Sequence, residues 1–207
     1  MNFIKRILCV FLSSLVVTLC FGCATTKIIS VIDRSSIPKI NKLLIVYDTD
    51  DLVIKDEMES KIAEEIISET KVKTAREIFV LPPLRNYTPE DVSNTLDKQS
   101  IDAVLIVRGK GAGRDITYYT YSSTKTVASS NPSGTGAVIS TSSSSGSTAK
   151  YWEKNAAELV IPKTSAIVWK ASTTTQGIGV LGEATMTQSF VRSLVDDLLS
   201  KGVLKEK

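Results

Sequence analysis

KLLIVY, residues 42–47, begins on Lys42 and ends against Asp48, and a short apolar run of this kind is the pattern of a strand buried on both faces. Over residues 55–70 the apolar positions are Met58, Ile62, Ala63, Ile66 and Ile67, spaced at three and four. Glu57, Glu59, Lys61, Glu64, Glu65 and Glu69 take the other side, which predicts an amphipathic helix. Residues 77–81 (EIFVL) read as a second strand, ended by Pro82-Pro83, which cannot donate to a ladder. Thr88-Pro89-Glu90-Asp91 has the form of a helix start, with Thr88 as N-cap, Pro89 at the first helical position and acids in the first turn. After Ile101-Asp102, residues 103–107 (AVLIV) give a third buried strand. This alternation implies right-handed crossovers and an α/β (α+β) layer, a central mixed sheet flanked by amphipathic helices.

Outward from that unit the pattern changes. Residues 116–154 mix tyrosines with Ser and Thr and pass through Asn131-Pro132-Ser133-Gly134 and the serine run 142–145. This composition predicts a long, mobile, Ser/Thr-rich hairpin or loop. Just before it, Gly109-Lys110-Gly111-Ala112-Gly113-Arg114 reads as a flexible β-turn carrying two solvated cations. The body resumes with 157–161 (AELVI) and 166–175 (AIVWKASTTT), which pair as an antiparallel hairpin. A last helix over 187–201 puts Phe190, Val191, Leu194, Val195, Leu198 and Leu199 on one face, with Gly202 as its C-terminal cap. One domain over 42–207 with an insertion at 116–154 is the expected organisation. Residues 23–41 would then be a tether, with an edge strand at 27–32.

The chain opens as a secretory signal. Lys5 and Arg6 form a charged start, and residues 7–21 are apolar except for Ser13, Ser14 and Thr18. A spanning helix needs about 20 apolar residues, so cleavage is expected instead. Leu19-Cys20-Phe21-Gly22-Cys23 resembles the lipobox of bacterial lipoproteins, with Cys20 where that family usually has leucine. The resemblance implies cleavage after Gly22, a signal peptide over 1–22, and a diacylglycerol thioether with an N-acyl chain, palmitate, on Cys23. It also implies a lipid bilayer as first partner. Ala24 after the cysteine implies transfer to the outer membrane, facing the periplasm.

Bulk composition narrows the chemistry. Removing 22 of the 207 residues leaves 185, the size of one domain. Lys plus Arg falls from 25 to 23 with the loss of Lys5 and Arg6, against 22 acids, a balance that excludes a nucleic-acid binder with a clustered basic surface. All three cysteines, Cys9, Cys20 and Cys23, lie in the leader, so no internal disulfide is expected. The chain has no histidine, which removes the commonest general base and the commonest metal ligand.

Two groups of residues invite a functional reading. Leu44-Ile45-Val46-Tyr47-Asp48-Thr49-Asp50 resembles the first motif of haloacid-dehalogenase-type phosphatases. That resemblance implies Asp48 as nucleophile and Asp50 as acid/base, with magnesium, although Leu52 replaces the family's threonine and no second motif follows. A solvated acidic loop before a helix start explains the same residues. Tyr118, Tyr119, Tyr121 and Trp152 are the candidate partner-binding residues, against ordinary packing across a strand pair. A membrane-spanning pair of strands would need about 9 to 11 residues each, with apolar residues at alternate positions. Thr117, Tyr119, Tyr121, Ser123, Lys125 and Val127 form one such face, and the return stretch 137–147 is mostly Ser and Thr.

The order of elements is similar in outline to a broad group of envelope lipoproteins, including the curli-secretion lipoprotein, the penicillin-binding-protein activators and the N-terminal domain of the Tol translocation protein. This implies a noncatalytic binding or assembly module for another envelope protein, with no cofactor beyond the covalent lipid and no metal. An oligomeric secretion pore, and then an Asp-x-Asp phosphatase, are the alternatives.

Overall fold

The structure, a computed structural model, describes residues 24–84, 86–131 and 134–207. It is an α+β fold around one mixed six-stranded sheet. In chain order the elements are β1 (Thr25–Ile32), a 3-10 turn (Arg34–Ser36), β2 (Lys42–Asp48), α1 (Leu52–Glu69), β3 (Lys73–Arg76), α2 (Glu77–Val80) and α3 (Pro89–Lys98). Then follow β4 (Ala103–Asn131), β5 (Gly134–Ile161), β6 (Ala166–Ile178) and α4 (Gly179–Ser200). The strand order is β1-β6-β5-β4-β2-β3. β2 runs parallel to β3 and β4, and the other pairs are antiparallel.

One face of the sheet is covered by α1 and α4, and the main core lies there. Leu43, Ile45, Leu105 and Leu159 from the strands meet Ile62 and Ile66 of α1 and Phe190, Leu194 and Leu198 of α4, all fully buried. Each such side chain contributes about 1.5–3 kcal/mol on leaving water. Trp169 is buried with them, and its indole Nε1 donates to Asp197 Oδ2 of α4 at 2.9 Å. The opposite face is covered only over β2 and the start of β4, where Leu96 and Ile101 of the α3 region meet Leu44 and Val104.

The strands expected at 42–47 and 103–107 and the hairpin of 157–161 with 166–175 are present, as is the edge strand, which the structure extends to Thr25. Helix starts differ where caps decide. Asp51 Oδ1 accepts from the amides of Val53 and Ile54 at 2.9 and 3.1 Å, so α1 begins at Leu52. α4 begins at Gly179, two turns ahead of its periodic face, because the chain turns straight from β6 into the helix. A Cβ on Gly177 would stand 2.4 Å from the Gly182 carbonyl oxygen, so only two glycines allow strand and helix backbones to meet there.

The expected strand at 77–81 does not form. β3 stops at Arg76, and residues 77–80 make a single helical turn with Phe79 left 65% exposed under the Arg76 guanidinium. Glu59 explains the stop. Expected on the solvent side of α1, it is fully buried, with Oε1 accepting from the Tyr47 amide and Oε2 from the Ile78 amide, both at 3.2 Å. Its carboxylate satisfies the sheet-edge donor that a longer β3 would have met, and Lys55, which also pairs with Glu77, lies 4.0 Å away. Burial is the main cause that pushes the Glu59 carboxyl above its ordinary value, with the two amide donors and Lys55 pulling the other way.

The expected turn at 109–114 is also absent. β4 continues through it opposite residues 151–155, with a register shift between Gly109 and Gly111. Beyond it the expected hairpin becomes a two-stranded ribbon, paired from Ile116↔Ala149 to Asn131↔Gly134.

Two outcomes follow from this packing. Leu194→Ala leaves a void between α4 and the sheet and should cost about 2–5 kcal/mol in urea unfolding. Because the folded Glu59 carboxyl holds its proton more tightly than the unfolded one, its contribution is full at acid pH. It declines as pH rises past the ordinary 4.5 towards the raised folded value. Glu59→Gln should remove that decline, so wild type minus variant stability, measured by urea unfolding across pH, should fall with rising pH.

Candidate functional site

The ribbon leaves the sheet where its neighbours end. β2 follows β4 only to the Asp48↔Arg108 pair, and β6 follows β5 only to Lys150↔Ile178. Past those points both outer edges of the ribbon present backbone donors and acceptors that pair with no other described strand. About 18 residues of β4 lie beyond Gly113, which at about 3.3 Å each gives a reach of about 60 Å.

Trp152 marks the base. It is half-buried across Gly113, where a Cβ would come within 2.5 Å of its ring, so glycine alone leaves the indole its place. Lys154 Nζ lies 5.4 Å from the Trp152 ring centroid, and on the other face Arg114 lies 5.3 Å from that of Tyr151. Beneath the base, Asn155 is buried, with its Nδ2 donating to Glu153 Oε1 at 2.9 Å and its Oδ1 meeting no partner. Burial, and then Glu153, raise the nearby Tyr47 phenol above its usual range.

Outside the part covered by α3, the face opposite α1 and α4 carries a chain of ion pairs across four strands. Lys170 Nζ stands 2.7 Å from Glu158 Oε1, Glu158 Oε2 stands 3.2 Å from Arg108 Nη1, and Arg108 Nε donates to Asp48 Oδ2 at 2.9 Å. The Lys170 bond is the largest cause holding the Glu158 carboxyl below its ordinary value. Arg108, Lys170 and Asp48 are partly open to solvent, and screened pairs of this kind contribute about 0–1 kcal/mol each, so the chain keeps this face polar more than it stabilises the fold.

The residues singled out from sequence fall in different places. Gly22 and Cys23 lie outside the described residues. Tyr118 is 78% exposed on the ribbon. The side chains of Tyr119 and Tyr121 lie outside those the structure describes, and Trp152 sits at the ribbon base opposite Gly113. Asp48 is engaged by Arg108, and Asp50 is exposed beside it. Among the described residues no three metal-binding side chains converge. Sequence reasoning missed Arg108, Glu158 and Lys170, whose only signal is the register that lines them up.

No protein-family model matches this chain, and no curated protein does. Solved structures similar to it include two of PelC dodecamers from Paraburkholderia phytofirmans. A point variant is 14% identical with a TM-score of 0.46, covering 87% of this chain and 100% of its own. The other is 12% identical with a TM-score of 0.46, covering 87% and 99%.

Gly113→Ala should displace the indole. Of the two tryptophans Trp169 is buried in the core, so the red shift in emission expected in this variant belongs to Trp152 and should vanish in a Trp152→Phe background.

Proposed function

We propose that this chain is an envelope-anchored, noncatalytic assembly module whose ribbon joins it to further copies of itself. The ribbon's two unpaired edges carry this reading. A two-stranded hairpin is marginal alone in water, and a long edge with free backbone groups is satisfied by pairing with another strand. Identical neighbours offer the complementary edge, and repeated edge-to-edge pairing gives a ring when the rotation between neighbours closes.

A second reading, that the ring spans the outer membrane as a barrel, is favoured by the ribbon's charge pattern. Next to the base, the face with Ile116 and Tyr118 carries Ala149 and Ser147 opposite them and no charge, whereas Asp115 and Lys150 share the other face. The charge-free face there is not the one beginning at Thr117 that the sequence alone puts forward. A lipid on Cys23 would hold the right end at the bilayer, because Thr25, two residues later, pairs with Gln176, which pairs with Trp152 at the ribbon base. From there about 60 Å of ribbon exceeds a hydrocarbon core of about 30 Å. Among the described residues no helix is long and apolar enough to cross a membrane.

The test is particle mass and negative-stain imaging of the full chain extracted from membranes in mild detergent. Homogeneous rings are expected. Replacing residues 116–149 by an Asn-Gly turn should give monomers with unchanged core circular dichroism. Cys23→Ser should lose incorporation of labelled palmitate. A monomeric wild-type chain would overturn the assembly reading.

A further inference from the structure

At the end of the domain away from the ribbon, β1 reaches Ile32 and passes into the 3-10 turn and the segment 37–41. This segment, the link between α1 and β3, and the residues after α4 enclose an open groove of about 940 Å³. That is the upper end of the size of small-ligand sites, about 300–1,000 Å³. Arg34, Lys39, Lys71, Lys201 and Lys205 line it, with Glu206 as the one acid. None of the five cations lies within ion-pair distance of a carboxylate of the described residues. The nearest acid in sequence, Asp33, is engaged by the Ser35 amide and hydroxyl.

These cations compensate in part the C-termini of α1 and α4, which end at this groove. Each helix end is equivalent to about half a negative charge. Setting those ends and Glu206 against five cations still leaves an excess of about three positive charges in one groove. The whole chain has a net charge of only +3 and the groove's five cations and Glu206 sum to +4, so the remaining residues sum to −1. The groove also has an apolar floor, including Ile37, Val72 and Leu199.

We infer that this groove is a docking site for an acidic peptide segment, with interspersed apolar residues, of another envelope protein. Carboxylates would meet the ring of unpaired cations while apolar side chains cover the floor, a division that neither a bare polyanion nor a lipid headgroup would use. Its location opposite the ribbon base turns it away from the bilayer, which rests on the anchoring proposed above; the binding itself does not.

The experiment uses the full chain in detergent, with fluorescence anisotropy of a labelled Glu-Leu alternating peptide, an all-Glu peptide of equal length, and phosphatidylglycerol vesicles as probes. The Glu-Leu peptide should bind best. The triple variant Lys71→Glu, Lys201→Glu, Lys205→Glu should weaken it by at least about tenfold. Lys98→Glu on α3 should leave it unchanged, and Ile37→Ser should weaken the Glu-Leu peptide without affecting the all-Glu one. Equal binding of both peptides, equal loss in the Lys98→Glu control, or a preference for vesicles would overturn the proposal. Particle mass recorded on the same samples separates the two readings, since monomers that still bind the peptide would sink the ring and keep the groove.

Discussion

The pairing of β4 with β5 runs from Val104↔Val160 in the middle of the sheet to Asn131↔Gly134 at the far tip, so one ladder has to serve two environments. At its inner end it is flanked by β2 and β6 and pressed on one face by α1 and α4, where burial of Leu105 and Leu159 fixes its register. A slip by one residue there would turn every core side chain to the open face. The ribbon inherits that register at no further cost in apolar residues, which is how a stretch of Ser and Thr forms a regular ladder. Its own composition provides little packing; its alignment comes from the core.

The same logic sets the edges. β3 is only four residues long because the Glu59 carboxylate, fully buried and held by two backbone amides, occupies the place where the edge would have continued. A buried carboxylate is tolerated there because both oxygens are satisfied and Lys55 is close. The β4–β5 edges have no such plug. One sheet therefore carries a short, plugged edge at β3, a second edge at β1, and two long, open ones along the ribbon.

The two ends of the domain then differ in kind. At one end the first described residues, the Gly177–Gly182 contact and Trp152 gather around the ribbon base; at the other, five unpaired cations surround an open groove. Between them the face opposite α1 and α4, where α3 leaves it open, is crossed by the Lys170–Glu158–Arg108–Asp48 chain, which keeps it polar. The Asp48 that sequence suggests as a nucleophile is one end of that chain, because β4 brings Arg108 directly opposite it.

The sequence by itself determined the α+β layer, the apolar strands at 42–47 and 103–107, the helical periodicity of α1 and α4, and the Thr88 cap, since each rests on periodicity or on a bond within a few residues. It also carried the signal-like start and the cysteine at 23. Only the tertiary structure decided that residues 77–80 are helical, that Glu59 is buried, and that residues 109–114 are strand. The same holds for the partition of charge between the ribbon's faces. Each of these depends on a partner distant in sequence: the Tyr47 amide for Glu59, residues 151–155 for the glycine-rich run, and a bulge that shifts the alternation of β4 by one. The basic groove shows the same limit, because its cations come from positions 34, 39, 71, 201 and 205 and only folding brings them around one space. Local patterns specify elements; which faces, edges and charges end up together is set by long-range packing, which a linear reading does not contain.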